Sequence, residues 1–97
     1  MTRFILSPAA QADIEGIWDY TAERWDQAQA EHYVLAIRDA CHELAAGTRR
    51  SRPADEIRAG YRKAAVGSHV LFFRIMDDGR LDIVRVLHQR MDVSSHL

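Results

Sequence analysis

The sequence predicts an α+β fold, with an N-terminal strand and an antiparallel helical hairpin packed on a small curved, mainly antiparallel β-sheet. Three observations predict it. Apolar residues recur at three- and four-residue intervals between Ser7 and Gly47, as amphipathic helices require. Between Tyr61 and His88 they fall instead into three short runs rich in Val, Ile, Leu and Phe, suited to a half-buried pleated surface. The runs are separated by Gly67-Ser68 and Asp78-Gly79, which suit two-residue hairpin loops because glycine adopts positive φ without steric cost.

Taken in order, Thr2–Leu6 (TRFIL) is a short apolar run and reads as a first strand beside the hairpin sheet. Ser7-Pro8 opens a helix, since Ser caps exposed amides and Pro tolerates the first helical position. Its buried stripe is Ala10, Ile14, Ile17, Trp18, Thr21 and Trp25, and Asp13 and Glu15 near its start suit the positive end of the helix dipole. Asp26 caps a second helix, Gln27–Ala46, with stripe Ala30, Tyr33, Val34, Ile37, Cys41 and Leu44. Gly47 stops it. Residues 47–59 (GTRRSRPADEIRA) are expected to be irregular, and residues 1–97 form a single domain without internal repeat.

If both hairpin loops have two residues, the register follows, because directly opposed residues share a face. One face collects Ala64, Val66, Leu71, Phe73, Ile75, Val84 and Val86, the side for helices to cover. The other collects Tyr61, Lys63, Ala65, Val70, Phe72, Arg74, Met76, Leu81, Ile83, Arg85 and Leu87. Lys63, Phe72 and Arg85 then lie side by side on a face that is apolar and also cationic, and such a face suits a partner.

At 47% hydrophobic and 28% charged, the composition is that of an ordinary globular domain. No apolar run is long enough to span a membrane, and the N-terminus lacks the pattern of a secretory signal. A single cysteine, Cys41, allows no internal disulfide, which fits a cytoplasmic location. The net charge of −1 hides an asymmetry: residues 1–48 carry 3 basic and 8 acidic side chains, and residues 49–97 carry 10 basic and 6 acidic ones.

The chemistry-bearing residues are mostly explained by structure. Asp13 with Glu15, and Asp77 with Asp78, read as helix-start and turn residues. His69 and His88 oppose one another in the expected register, but two ligands fall short of what zinc recruits, so a structural histidine pair is expected and no metal or cofactor. Cys41 reads as a small buried hydrophobe. Arg49, Arg50 and Arg52, without interleaved aromatics, read as a solvated loop, and direct nucleic-acid binding is not expected. Arg62, Lys63, Arg74, Arg85 and Arg90 either pair within the chain, with Asp82, Asp55, Glu56 or the C-terminal carboxylate, or face a partner.

Three runs carry a resemblance: Asp55–Lys63 (DEIRAGYRK), Gly67–Arg74 (GSHVLFFR) and Val84–Asp92 (VRVLHQRMD). With Leu6-Ser7-Pro8-Ala9-Ala10, Asp13, Ile14, Ile17, Trp18, Tyr20, Trp25 and Gln29-Ala30, they make the chain similar to the ParE branch of the RelE/ParE toxin superfamily over nearly its whole length. The resemblance implies the RelE/ParE-like fold, two helices on a curved antiparallel sheet. It also implies a cytoplasmic bacterial toxin that poisons DNA gyrase by binding it, turns over no substrate and uses no catalytic residue. A ParD-like antitoxin, a ribbon-helix-helix protein whose C-terminal segment folds on binding, would neutralise it. Antitoxin contacts are then expected from Ile14, Trp18, Val34, Phe72, Arg74 and Leu87, and target contacts from Arg62, Lys63, Arg85, His88, Arg90, Met91 and Leu97. Arg85→Ala or Arg90→Ala should on this reading reduce toxicity without touching stability, while Phe73→Ala should cost roughly 3–5 kcal/mol.

The alternative implied by the same superfamily is a RelE-like, ribosome-dependent mRNA endoribonuclease using Arg62, Lys63, Arg90 and His96. Against it, Val70 stands where RelE-like enzymes carry an arginine early in the middle strand, and at least one lysine of the preceding strand is missing.

Overall fold

In the computed structural model, which describes residues 3–97, Ser7 opens the first helix as expected. Its hydroxyl accepts from the Ala10 amide at 3.0 Å and donates to the Val84 carbonyl at 2.7 Å, so the cap also pins the helix start to the sheet. The elements are β1 (Phe4–Leu6), α1 (Pro8–Arg24), α2 (Gln27–Ala46), β2 (Arg52–Pro53), β3 (Tyr61–Val66), β4 (His69–Ile75) and β5 (Leu81–His88), followed by a 3-10 turn at Val93–Ser95. Thr2, expected in the first strand, lies outside the described residues. Asp26 caps α2 through the Gln29 amide at 2.7 Å, and Gly47 ends it at φ 78°. Two residues join the helices, which pack on one another, and Ala10, Ala30 and Ala40 are fully buried.

The five strands form one mixed open sheet in the order β1-β5-β4-β3-β2, with β1 parallel to β5 and the other pairs antiparallel. One face packs on α1 and α2 around Ile17, Ile37, Cys41, Leu44, Leu71, Phe73, Ile83 and Val86. Trp25, expected on this stripe, is 71% exposed. It occupies the C-cap of α1 at φ −121°, ψ −89°, outside the helical region, so its side chain leaves the helical row. The segment expected to be irregular contains β2, whose Arg52 and Pro53 pair with Lys63 and Arg62. The Ala54 amide then closes on the Tyr61 carbonyl at 2.7 Å.

The first hairpin has the expected two-residue loop, from Val66↔His69 back to Tyr61↔Arg74. The second does not. Met76 donates to the Arg80 carbonyl at 2.8 Å, leaving Asp77, Asp78 and Gly79 as a three-residue loop, with Gly79 at φ 88°. The ladder near this turn is therefore Ile75↔Leu81, Arg74↔Asp82 and Phe73↔Ile83, one place from expectation. A bulge at Val84, which has no cross-strand partner, restores the expected pairs Phe72↔Arg85, Leu71↔Val86, Val70↔Leu87 and His69↔His88.

The faces change accordingly. Leu81 and Ile83, expected on the outer face, lie in the core at 4% and 0% exposure, while Ile75, expected in the core, is 60% exposed and Val84 is half-buried. On the outer face Tyr61, Phe72 and Leu87 are themselves buried rather than open to a partner.

Candidate functional site

Strand β1 accompanies β5 only as far as Ile83, where the Ser7 amide takes the Ile83 carbonyl at 3.0 Å and the chain turns into α1. The rest of the β5 edge would lie open. Asp13, one turn into α1, supplies what the missing strand would have given: its Oδ2 accepts the Val86 amide at 2.9 Å. The same carboxylate accepts from Arg85 Nε at 2.8 Å and Arg85 Nη2 at 2.7 Å. Arg85 Nη1 in turn donates to the His96 carbonyl at 2.9 Å, pinning the C-terminal turn to the sheet. Both partners are largely buried, with side chains 21% and 13% exposed. Arg85 is thus a structural tie as well as an expected target contact, contrary to the expectation that it could be removed without touching stability. Its partner was not among the carboxylates expected for it.

Beyond Asp13 a groove of about 450 Å³ opens between α1 and the end of β5. Its α1 wall is Ala12, Gly16, Ile17 and Tyr20, its β5 wall is Val86, Leu87 and His88, and Met91 also lines it. Gly16 is open where a Cβ would stand. Glycine inside a helix costs about 1 kcal/mol relative to alanine, so a bare backbone at the groove wall is a local cost that deepens the hollow. Tyr20 and Met91, both lining it, are exposed at 62% and 46%.

The two histidines also line the groove. His69 and His88 pair across β4 and β5 with ring centroids 5.3 Å apart, edge to face. His69 Nδ1 is 2.6 Å from the Tyr33 hydroxyl of α2, and His88 Nδ1 accepts the Arg90 amide at 3.1 Å. Burial and the neighbouring His88 push the His69 imidazole below its ordinary pKa, with Asp13 opposing. No cluster of three or more His, Cys, Asp or Glu able to hold a metal occurs among the described residues. Cys41 is buried, and desolvation pushes its thiol up to about 11, well away from nucleophilic use.

The expected antitoxin residues scatter. Leu87 lines the groove, Ile14 and Val34 are half-buried, and Trp18 is half-buried on α1. Phe72 is 2% exposed, and Arg74 is exposed but paired with Asp82 at 3.0 Å. Of the expected target residues, His88 and Met91 share the groove, and Arg90 is exposed beside it in sequence. Arg85 and Leu97 border a second hollow with Tyr61, Arg58 and His96. Arg62 and Lys63 lie on β3: Arg62 donates to Ser51 Oγ at 2.9 Å and Lys63 pairs with Glu56 at 3.1 Å. The four ribonuclease candidates do not converge, for His96 and Lys63 line different hollows.

Residues 4–93 match the family model described as the ParE toxin of the type II toxin-antitoxin system, parDE. The chain belongs to the ParE toxin family. Among its relatives, Toxin ParE1 of Mycobacterium tuberculosis is 53% identical over 96 residues, covering 99% of this chain and 98% of that one. Toxin ParE1 of Caulobacter vibrioides is 39% identical over 97 residues, covering 100% and 99%. Toxin ParE of Escherichia coli is 32% identical over 97 residues, covering 100% and 94%. The fold is that of a chain in the chromosomal ParDE toxin–antitoxin system of P. aeruginosa, with TM-score 0.77 at 21% identity, covering 91% of this chain and 96% of that one. A chain of the toxin–antitoxin complex RelBE2 of M. tuberculosis gives 0.58 at 20% identity, covering 91% and 98%. This ParE chain has no helix, among its described residues, long and apolar enough to cross a membrane.

Proposed function

We infer that this ParE-family toxin arrests growth by binding DNA gyrase and trapping it on cleaved DNA, and that a ParD-like antitoxin neutralises it by covering the α1–β5 groove. The observation that carries the reading is the family match over residues 4–93, joined to a groove that gathers residues expected for both partners. His88 and Met91 from the target set line it, with Leu87 of the antitoxin set buried beneath at 2% exposure, so an antitoxin segment seated in the groove would also hide a target surface. An amphipathic segment suits it, offering apolar anchors to Ile17, Tyr20 and Met91. Binding, not turnover, is the mode of action, and the chain works in the cytoplasm where gyrase is.

Purified toxin added to gyrase should suppress supercoiling and accumulate cleaved DNA. Unchanged supercoiling with no trapped DNA would sink the gyrase assignment, and codon-linked cuts in primer extension on translated mRNA would replace it with the ribonuclease. A Gly16→Phe substitution fills the groove without entering the core, and it should abolish antitoxin capture while the protein still melts cooperatively. Undiminished capture would place the antitoxin elsewhere.

A further inference from the structure

The sequence holds two separate basic groups, Arg49-Arg50-x-Arg52 and Arg62-Lys63, and the fold brings them to one sheet edge. Strand β2 lies against β3 with Arg52 opposite Lys63 and Pro53 opposite Arg62. A shallow hollow of about 370 Å³ lies at this edge, lined by Arg49, Arg50, Arg52 and Lys63 with Ser51, Ala64 and Ala65. Several of the cations are held in place rather than waving. Arg49 donates to Glu43 at 2.6 Å and to the Ala65 carbonyl at 3.0 Å. Arg62 donates twice to Ser51, through Nε at 2.9 Å and Nη2 at 3.2 Å, leaving further guanidinium N–H groups free. Arg50 and Arg52 are exposed, with no ion-pair partner among the described residues. Against the four cations that line the hollow, Arg49, Arg50, Arg52 and Lys63, stand two paired carboxylates, Glu43 and Glu56, so it keeps a net positive charge.

The chemistry of the edge narrows its partner. Strand addition does not fit, since Pro53 has no N–H to donate and β2 is two residues long. An amphipathic acidic peptide or a folded protein needs apolar anchors, and the exposed large hydrophobic side chains among the described residues (Ile5, Tyr20, Trp25, Leu35, Ile75 and Met91) all lie outside this hollow. A polyanion carrying its charge on a regular backbone needs none. Three of these four cations are arginines, whose planar fork matches phosphate oxygens two at a time. We propose that the β2–β3 edge binds the phosphodiester backbone of duplex DNA. The choice of DNA over RNA rests on the gyrase reading, which places the toxin beside a DNA segment; the phosphate chemistry rests on the edge alone.

The test is fluorescence anisotropy of a labelled duplex of arbitrary sequence with the purified full-length toxin, from about 50 to 200 mM salt. Binding should fall linearly on a log–log plot, with a slope of roughly −0.9 for each phosphate contact. The double reversal Arg50→Glu/Arg52→Glu should weaken binding at least tenfold at the low-salt end and flatten the slope by about 2, with an unchanged melting transition. The control Arg24→Glu/Arg38→Glu, two exposed cations on the helices, should leave binding within about twofold. No binding at low salt, equal weakening by the control, or tighter binding of single-stranded RNA or polyglutamate than of duplex DNA would each overturn the proposal. Gyrase inhibition is read separately, so a toxin that binds DNA but leaves supercoiling intact would reject the gyrase reading and keep the edge.

Discussion

Asp13 shows how far one carboxylate can reach. It serves a backbone amide and a guanidinium together, and that guanidinium holds the His96 carbonyl, so helix, last strand and C-terminal turn meet at one side chain. Removing it leaves a largely buried arginine and an amide unsatisfied, so Asp13→Ala should cost roughly 2–4 kcal/mol in urea unfolding. A double-mutant cycle with Arg85→Ala should return a coupling of about 0.5–3 kcal/mol; additive losses would show the pair to be independent. Arg90→Ala, at an exposed position, should stay within about 0.5 kcal/mol. None of this was legible in the sequence, where Asp13 and Arg85 are 72 positions apart and Asp13 looks like an ordinary helix-start acid. His69 was legible as a partner of His88, but Tyr33 was visible only as a core residue. Because the folded imidazole is pushed below its ordinary value of about 6.5, the unfolded chain takes the proton first as pH falls. Stability should therefore decline from that point downward until the folded imidazole also protonates, and His69→Gln should flatten that part of the pH–melting profile.

At the scale of elements, the helices were readable almost to the residue, because caps are local chemistry: Ser7, Asp26 and Gly47 each mark a boundary whose backbone groups they satisfy. The first hairpin was equally local. The second was misread because Asp-Gly suits both a two-residue loop and the end of a three-residue one. The hydrophobic pattern then hides the difference, since Leu81, Ile83, Val84 and Val86 are apolar in either register. What decides between them is burial: the bulge at Val84 lets Leu81 and Ile83 join Val86 on the helix-covered side. Ile83→Ala should accordingly cost about 2–5 kcal/mol and Ile75→Ala no more than about 0.5 kcal/mol in the same unfolding experiment. Equal losses would restore the unbulged register. The β2 strand escaped notice because two residues containing a proline make no pattern of their own.

For the molecule as a whole, the two layers divide the charge noted in the sequence, with the acidic half forming β1 and the helices and the basic half forming the rest of the sheet. The groove lies between α1 and β5 and the cationic hollow at the opposite edge, so occupants of the two need not compete. The groove was not visible as a site beforehand, because α1 and the end of β5 are far apart in the chain; the cations of the hollow were visible one by one, but not their meeting across β2 and β3. A ParD-like antitoxin at a hundredfold excess over its Kd should add about 2.7 kcal/mol to the toxin's stability and raise its melting temperature by roughly 10–20 °C; an unshifted transition would mean no such partner binds the folded state. One small detail ties the layers together. The tip of the β3–β4 hairpin rests on Tyr33 of α2, whose hydroxyl accepts the Ser68 amide at 3.0 Å, and any Cβ at Gly67 would come within 2.7 Å of that hydroxyl. A turn that in an isolated hairpin would flicker open is here plugged by a phenol ring, so it cannot loosen without dragging a helix with it. A solvent-exposed loop thus belongs to the same cooperative block as the core.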